Sequence, residues 1–267
     1  MTKDVLAGTV TFAGKEYCRS RVWEAFENLD PGDMTIDPVV VDNTADEGSY
    51  FRFLIDEVRE KWGDLFTVLH VPLDSRMPSR AKIAVSQNVL RSLTLDGKKD
   101  SLFIFESDVV LKDRGTLVDL DGLRCDVAAG VLKYESTDDV MLWKALDGGA
   151  RLRGSKSFSV DCYTGGKIGS VNVFARLPGR DGWEIARKPW TLSGLPGEPF
   201  SIEGCHLGCT LIRRTVLEQV HFDYHVDSSD ATDIWFSLEA RASGFSFMAH
   251  PWVRPVHLPS SWKELTR

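Results

Sequence analysis

The chain has 267 residues, of which 43% are hydrophobic and 27% are charged, and its formal net charge is -7. This composition is typical of a soluble globular protein with a full core, and the acidic balance argues against a protein that coats nucleic acid by bulk charge attraction. There is no run of about 18 apolar residues and no basic start followed by an apolar stretch, so we expect no transmembrane segment, no secretory signal and a cytoplasmic protein.

The first half of the sequence alternates short apolar strands with amphipathic helices. Strands are predicted over residues 5–12, 38–42, 65–71 and 102–105, with helices between them near residues 16–28, 50–62 and 80–95. Strands separated by helices imply right-handed crossovers and parallel pairing. We therefore predict an α/β fold with a Rossmann-like, mainly parallel central sheet flanked by helices.

The second half is less regular. A strand over residues 128–134 leads into a Gly-rich and Trp-rich stretch, with short strands near residues 158–160 and 171–174. A strand over residues 208–213, helices over 214–220 and 230–243, and a strand over 245–249 follow. We interpret residues 1–267 as a single domain, with a smaller β-rich insertion at about residues 135–203.

The five cysteines are an odd, scattered set without the spacing of a disulfide framework, which predicts reduced thiols. Cys205, His206 and Cys209 invite a transition-metal interpretation. They lack the two separated ligand pairs of a structural zinc site, so we do not favour zinc.

Glu106, Ser107 and Asp108 come directly after the fourth predicted strand. In extended backbone, residues i and i+2 lie on the same side, and the carboxyl edge of an open α/β sheet is where ligands bind. Two carboxylates there suit Mg²⁺ or Mn²⁺. An Asp after a strand also commonly begins a turn or caps a helix, so both interpretations stay open for the motif alone.

Three other positions accompany these carboxylates. Asp42 ends the second predicted strand, Asp233 lies in the first turn of a predicted helix, and His257 follows an apolar segment near the end of the sequence. Each has an ordinary structural alternative, because Asp commonly caps strands and helices and a single His is often a satisfied polar residue.

In their order along the chain, these strands, helices and candidate residues resemble those of the nucleotide-sugar glycosyltransferases of the A-type fold. The resemblance covers roughly residues 5–258 and weakens between residues 134 and 204. The DxD element of that family appears here as Glu106-Ser107-Asp108, which differs at its first carboxylate. The resemblance implies that residues 1–120 bind a nucleoside-diphosphate sugar and that residues 121–267 bind the acceptor.

The resemblance also implies a role for each candidate residue. Asp42 would hold the base, and Arg80, with Lys82 and Asn88, would lie toward the diphosphate. Glu106, Asp108 and His257 would bind Mn²⁺ or Mg²⁺, with Ser107 in the donor site. Gly204 belongs to the glycine-rich strand that passes under the donor sugar, and Asp233 matches the residue that deprotonates the acceptor hydroxyl in inverting members.

Two other classes of protein share part of this pattern. A nicotinamide-dependent enzyme is disfavoured, because Ala13-Gly14-Lys15 follows the first strand and no G-x-G-x-x-G is present. A non-catalytic nucleotide-sugar or glycan-binding module stays open, because Glu106 replaces the first DxD carboxylate and Thr232 stands where the family usually has Glu.

The only indication of the acceptor is the positive charge of one segment of the chain. Residues 144–190 contain nine Lys or Arg and four acidic residues, a local charge of +5. This segment suits either a solvated surface loop or an anionic acceptor, such as a sugar phosphate, a lipid phosphate or DNA with a hydroxymethylated base as in phages. The net charge of -7 argues against DNA.

Overall fold

The computed structural model describes residues 2–45, 48–132, 196–202, 204–224 and 232–258, together with the backbone of short strands between residues 132 and 195. In this part of the chain the α-helices are α1 (Arg19–Asn28), α2 (Ser49–Trp62), α3 (Ser79–Asp96), α4 (Thr116–Gly122), α5 (Arg214–Leu217) and α6 (Thr232–Ala242). Short 3-10 turns lie at Ala13–Cys18 and Gly63–Leu65.

The strands before the β-rich stretch are β1 (Lys3–Thr11), β2 (Met34–Asp42), β3 (Thr67–His70), β4 (Ser101–Glu106), β5 (Val109–Val110), β6 (Val127–Gly130) and β7 (Leu132–Tyr134). Short strands follow at β8 (Val140–Met141), β9 (Trp143–Ala145), β10 (Ser157–Phe158), β11 (Val160–Cys162), β12 (Phe174–Arg176) and β13 (Trp183–Glu184). The last are β14 (Phe200–Ser201), β15 (Cys209–Arg213), β16 (Phe247–His250) and β17 (Val256–His257).

An eight-stranded sheet forms the centre of the protein, in the order β14, β16, β6, β15, β4, β1, β2, β3. β3, β2, β1 and β4 are parallel neighbours, whereas β15 runs antiparallel to both β4 and β6. β6 and β16 pair in parallel. The predicted α/β fold with a mainly parallel central sheet is therefore confirmed.

β4 has a continuous apolar sequence because both of its faces are covered. Leu102 and Ile104 belong to one hydrophobic cluster, and Phe103 and Phe105 belong to another on the opposite face. All four side chains are buried. Burial on both faces explains why the strand lacks the alternation of a half-exposed strand.

α3 lies very close to β1. A Cβ atom added at Gly8 would come 2.6 Å from Leu90 Cδ2, so the glycine permits this helix to approach the strand. The first turns of α3 are thereby held over the carboxyl edge of the sheet, where β1 and β4 also end.

A second sheet, in the order β5, β17, β7, β8, lies beside the tip of β4. The single strand predicted over residues 128–134 is in fact two strands, β6 and β7, that belong to different sheets. The break falls at Val131, whose N–H donates to the carbonyl of Val253 at 2.7 Å rather than to a sheet neighbour. The short elements β5 and α4 were not predicted.

The remaining predictions about organisation stay predictions. Much of the β-rich insertion at about residues 135–203 lies outside the described residues, and the division into halves at residue 120 is untested. No helix within the described ranges is long and apolar enough to cross a membrane.

Candidate active site

A cavity of about 580 Å³ opens at the carboxyl ends of β1, β2 and β4. β1 has β2 on one side and β4 on the other, so the chain reverses its direction of progress across the sheet at this place. Such a switch point forms a crevice beyond the strand ends, which is the usual ligand site of open α/β sheets. The volume also falls within the range of small-molecule sites.

The predicted carboxylate pair lies in this cavity. Glu106 is the last residue of β4 and its side chain is 45% exposed, whereas the side chain of Asp108 is 4% exposed. Ser107 is buried between them and also lines the cavity. The two carboxylates therefore differ, with one oxygen-rich group at the opening and one held in the protein.

His257 reaches these carboxylates through the second sheet. β17 pairs antiparallel with β5, with His257 opposite Val109, and the N–H of Leu258 donates to the carbonyl of Asp108 at 2.8 Å. The turn before β17 packs tightly on Gly130, where an added Cβ would lie 2.9 Å from a methyl group of Val253. Backbone pairing thus fixes His257 beside the end of β4.

Glu106, Asp108 and His257 each offer a ligand atom, and these atoms all lie within 4.8 Å of one another. His257 Nε2 is 3.5 Å from Glu106 Oε2 and 3.7 Å from Asp108 Oδ2. His257 Nδ1 lies 2.8 Å from the carbonyl of Leu258, and because a carbonyl only accepts, Nδ1 carries hydrogen. In the neutral ring this leaves the lone pair on Nε2, the arrangement found in metal-binding histidines.

The donor set fits a hard divalent cation. Two carboxylates and one imidazole supply oxygen and nitrogen ligands of the kind that bind Mn²⁺ and, through the oxygens, Mg²⁺. Of the described residues, only these three form such a group.

Glu106 and His257 shift each other's pKa in opposite directions. Although the Glu106 side chain is 45% exposed at the opening, the surrounding protein partly desolvates its carboxyl group and raises its pKa. The hydrogen bond with His257 and the nearby positive charges outweigh this effect and lower the pKa overall. Burial lowers the pKa of His257, but Glu106 and the charge of Asp108 raise it overall. Without a metal, the two side chains therefore favour an ion pair with each other.

Lys15 is a member of the site that the sequence did not indicate. It lies in the 3-10 turn after β1, and its Nζ contacts Asp108 Oδ2. The Lys15 side chain is 16% exposed and lines the cavity. The hydroxyl of Tyr17 lies 3.5 Å from the same oxygen.

The first turns of α3 form a wall of the cavity. Ser79, Lys82, Ile83 and Gln87 line it. Gln87 is 5% exposed, and its Oε1 is buried without a hydrogen-bond partner among the described residues. The predicted donor residue Arg80 is exposed and lies outside this lining.

Asn88, which the sequence grouped with Arg80 and Lys82, faces the protein instead. Its Nδ2 donates to the carbonyl of Phe222 at 2.7 Å, and its Oδ1 accepts from the N–H of Phe222 at 3.2 Å. These bonds give Asn88 a clear role in joining α3 to the segment after α5.

Asp42 is fully buried at the end of β2 and lies outside the described lining of the cavity. Its Oδ1 accepts a hydrogen bond from the N–H of Thr44 at 3.0 Å, and its Oδ2 lies 2.8 Å from His70 Nδ1. The cavity is lined instead by the next residues, Asn43, Thr44 and Ala45. Asp42 shapes this loop, and its binding of a base stays a prediction.

Asp233 and Gly204 also lie outside the described lining of the cavity. Asp233 is in the first turn of α6, where its Oδ1 accepts from the N–H of Ile234 at 2.8 Å. Gly204 is buried next to Cys205, whose N–H donates to Ser237 of α6 at 3.2 Å. The segment after Gly204 and the helix that carries Asp233 are therefore joined, and Leu207 of this segment reaches the cavity.

The possible zinc ligands Cys205, His206 and Cys209 are all buried. Burial raises the pKa of both thiols and lowers the pKa of His206 to about 4. Neutral thiols are poor metal ligands. His206 Nδ1 accepts from the N–H of Gly208 at 2.9 Å, so the histidine holds the turn before β15.

Solved structures that resemble nearly the whole chain include the following two. One is GalNAc-T7 with UDP, GalNAc and Mn²⁺, at 13% identity and a TM-score of 0.58 over 97% of this chain and 44% of that chain. The other is the mannosyltransferase PcManGT from Pyrobaculum calidifontis with GDP-Man and Mn²⁺, at 13% identity and a TM-score of 0.55 over 96% and 57%. No family model and no curated protein sequence matches the chain.

The chain thus spans about half the length of these two structures. At this identity the likeness establishes a shared fold, in agreement with the predicted one. Fold does not determine function, so the chemistry must be argued from the cavity and its residues.

Proposed function

We propose that the protein is a metal-dependent glycosyltransferase that moves a sugar from a nucleoside-diphosphate sugar to a hydroxyl group of an acceptor. The convergence of Glu106, Asp108 and His257 at the edge of the cavity carries this proposal. The two similar structures support it, because one contains UDP and the other GDP-Man, and both contain Mn²⁺.

Glu106, Asp108 and His257 would hold the cation, which would supply positive charge to offset the charge that develops on the departing nucleoside diphosphate. Lys82 on the wall of the cavity adds a second positive charge for the same anion. Ser79 lines the cavity in the first turn of α3, and a helix N-terminus favours phosphate. The rest of the cavity, with Val10, Phe12 and Ile83, suits a base and ribose.

Mn²⁺ is our first choice of metal, with Mg²⁺ as the alternative. A set of two carboxylates and one imidazole includes a nitrogen ligand, whereas Mg²⁺ strongly prefers oxygen. Binding of Mn²⁺ and Mg²⁺ measured by calorimetry should therefore show a lower Kd for Mn²⁺.

The donor would extend from the metal ligands toward the loop of Asn43 and Thr44, with Asp42 shaping that loop. Asp233 is our candidate for the base that takes the proton of the acceptor hydroxyl, a role that contributes about 10²–10⁴-fold in rate where it operates. Replacing Asp233 with Asn should lower the rate of transfer while leaving Mn²⁺ and donor binding near their original affinity.

The decisive experiment measures binding and turnover on the same preparation. UDP-sugars and GDP-sugars are screened by thermal shift with and without Mn²⁺, and release of the nucleoside diphosphate is then followed for each donor that binds. Asp108→Asn should abolish both the Mn²⁺-dependent shift and turnover. Glu60→Gln, at an exposed position on α2, is the matched control and should change neither.

Two outcomes would contradict the proposal. If no donor raises the melting temperature in the presence of Mn²⁺, the cavity is not a nucleotide-sugar site. If a donor binds but is never turned over with any tested acceptor or with water, the protein is a binding module of the same fold.

An anionic acceptor is the finer part of the proposal. It rests on the local charge of +5 over residues 144–190, whose side chains lie outside the described residues. A sugar phosphate or lipid phosphate suits this charge better than DNA, because the net charge of the chain is -7. Replacing Arg151, Arg153 and Lys156 together with Ala should weaken binding of the anionic acceptor, and unchanged binding would refute this part.

A further inference from the structure

We infer that Lys15 is an exchangeable cation of this site: it neutralises Asp108 in the metal-free protein and moves to the diphosphate of the donor when metal and donor bind. The inference rests on the proposed function and adds a residue to it. It assigns to Lys15 both control of metal affinity and a direct contact with the leaving group.

The first observation is where the ammonium lies. Lys15 Nζ contacts Asp108 Oδ2, the same oxygen that His257 Nε2 approaches at 3.7 Å. Lys15 therefore contacts the carboxylate oxygen of Asp108 that also lies near His257, another potential metal ligand. Its charge offsets part of the repulsion between the carboxylates of Glu106 and Asp108 while no metal is bound.

The second observation is that the backbone of Lys15 is held while its side chain borders open space. The N–H of Lys15 donates to the carbonyl of Phe12 at 2.8 Å, and its own carbonyl accepts from Cys18 Sγ at 3.0 Å. The side chain nevertheless lines the cavity. A lysine has a flexible four-carbon stem, so its ammonium can move within the cavity without a change of backbone.

Electrostatics then determine the direction of the exchange. An ammonium and a divalent cation cannot share Asp108 Oδ2 without strong repulsion at this separation. The metal must displace Lys15 from that oxygen, and the diphosphate brings new negative charge into the cavity that Lys15 lines. Competition with Lys15 lowers the affinity for metal alone, and contact with phosphate raises the affinity for nucleotide.

These two effects have opposite signs, which makes them separable by experiment. Mn²⁺ binding is measured by calorimetry without nucleotide, and UDP and GDP binding is measured at saturating Mn²⁺. Lys15→Met should bind Mn²⁺ alone about tenfold more tightly than the wild type and should bind UDP or GDP about tenfold more weakly.

Lys82 and Lys112 provide matched controls with the same change of charge. Lys82 lines the cavity and its Nζ bonds to the carbonyl of Ser75 at 3.3 Å, so Lys82→Met should weaken nucleotide binding without raising the affinity for Mn²⁺. Lys112 is exposed outside the described lining, so Lys112→Met should change neither affinity. Lys15→Gln, which keeps a hydrogen-bond donor without the charge, replaces Lys15→Met if the latter does not fold, and its expected results are the same.

Several outcomes overturn the inference. Unchanged Mn²⁺ affinity in Lys15→Met shows that Lys15 does not compete with the metal, and unchanged nucleotide affinity shows that it does not reach the diphosphate. An equal rise in Mn²⁺ affinity in Lys82→Met shows a general effect of charge rather than exchange at Asp108. A wild-type protein that binds no Mn²⁺, even with UDP or GDP present, instead removes the metal site and refutes the proposed function itself.

Discussion

Replacing Asp108 with Asn should destabilise the metal-free protein. In the absence of metal, the carboxylates of Asp108 and Glu106 lie beside the Lys15 ammonium and the His257 imidazole, so the opposite charges of the cluster offset one another. Asp108→Asn removes one negative charge and leaves the Lys15 ammonium, 16% exposed, without its carboxylate.

The expected cost follows from burial. Removing one partner of a buried ion pair costs about 3–5 kcal/mol, and we take about 3 kcal/mol because Lys15 keeps some contact with solvent. The unfolding entropy near 60 °C is about 2.1 cal/mol/K per residue, which gives roughly 0.6 kcal/mol/K for 267 residues. The melting temperature should therefore fall by about 5 °C.

Thermal unfolding followed by circular dichroism in the presence of a chelator measures this change, with Glu60→Gln as the control. Adding Mn²⁺ at about 100 times its Kd should then stabilise the wild type by about 2.7 kcal/mol and leave Asp108→Asn unaffected. If metal-free Asp108→Asn melts within about 1 °C of the wild type, Asp108 does not stabilise the metal-free protein through Lys15, and the expected cost is refuted.

Three further changes test other parts of the structure. Burial raises the pKa of Asp121, but its hydrogen bonds from Lys3 and Arg213, both at 2.6 Å, outweigh this and lower it. The stabilisation by Asp121, about 1–2 kcal/mol, is present above the unfolded-state pKa of about 3.9 and is lost as the pH falls through the lowered value. In urea unfolding, Asp121→Asn should therefore be less stable than the wild type at about pH 7 but not toward pH 2, and an equal deficit at both pH values contradicts this. Gln87→Leu removes a buried Oε1 that has no partner in the described ranges, so it should keep or raise the stability of the free protein and weaken donor binding about tenfold by calorimetry; unchanged affinity would exclude contact with the donor. Gly8→Val would force α3 away from β1, so it should lower the free energy of unfolding in urea by about 1–3 kcal/mol and weaken donor binding. An unchanged unfolding midpoint would show that the contact between α3 and β1 does not require glycine at this position.

The parallel half of the fold was predictable because its signals are local. The strand expected over residues 102–105 is β4 at Ser101–Glu106, and the helix expected over residues 80–95 is α3 at Ser79–Asp96. The sequence prediction began β2 at Pro38, but the strand begins at Met34, where Met34-Thr35-Ile36-Asp37 alternates apolar and polar residues as a half-exposed strand does. Pro38 fits the strand since β2 pairs there with β1 and meets β3 only from Val39 onward, so a missing N–H is tolerated.

The split between β6 and β7 could not be read from the sequence. Residues 127–132 are an uninterrupted run of small and apolar residues, which periodicity alone assigns to one strand. The break depends on the bond from Val131 to Val253, which are distant in the chain. Tertiary contacts of this kind leave no local pattern.

Some residues of the candidate site could be predicted from the sequence, and Lys15 could not. Glu106 and Asp108 were found because a polar residue directly after a buried strand is conspicuous, and His257 was found through the family resemblance. Lys15 appeared only as a loop residue, since its contact with Asp108 exists only once β1 and β4 are neighbours. The signal that indicates it in retrospect is position, because it follows the central strand at the same edge of the sheet.

The pairing of β17 with β5 has a consequence for how this protein tolerates insertions and deletions. Side chains alternate sides along a strand, so a shift of one residue in β17 would turn His257 away from Asp108 and present an apolar neighbour, Val256 or Leu258, in its place. The identity of the proposed third metal ligand therefore depends on the number of residues in the turn before β17. Substitutions at the exposed positions of that turn, Trp252 and Arg254, should therefore be tolerated better than a change in its length.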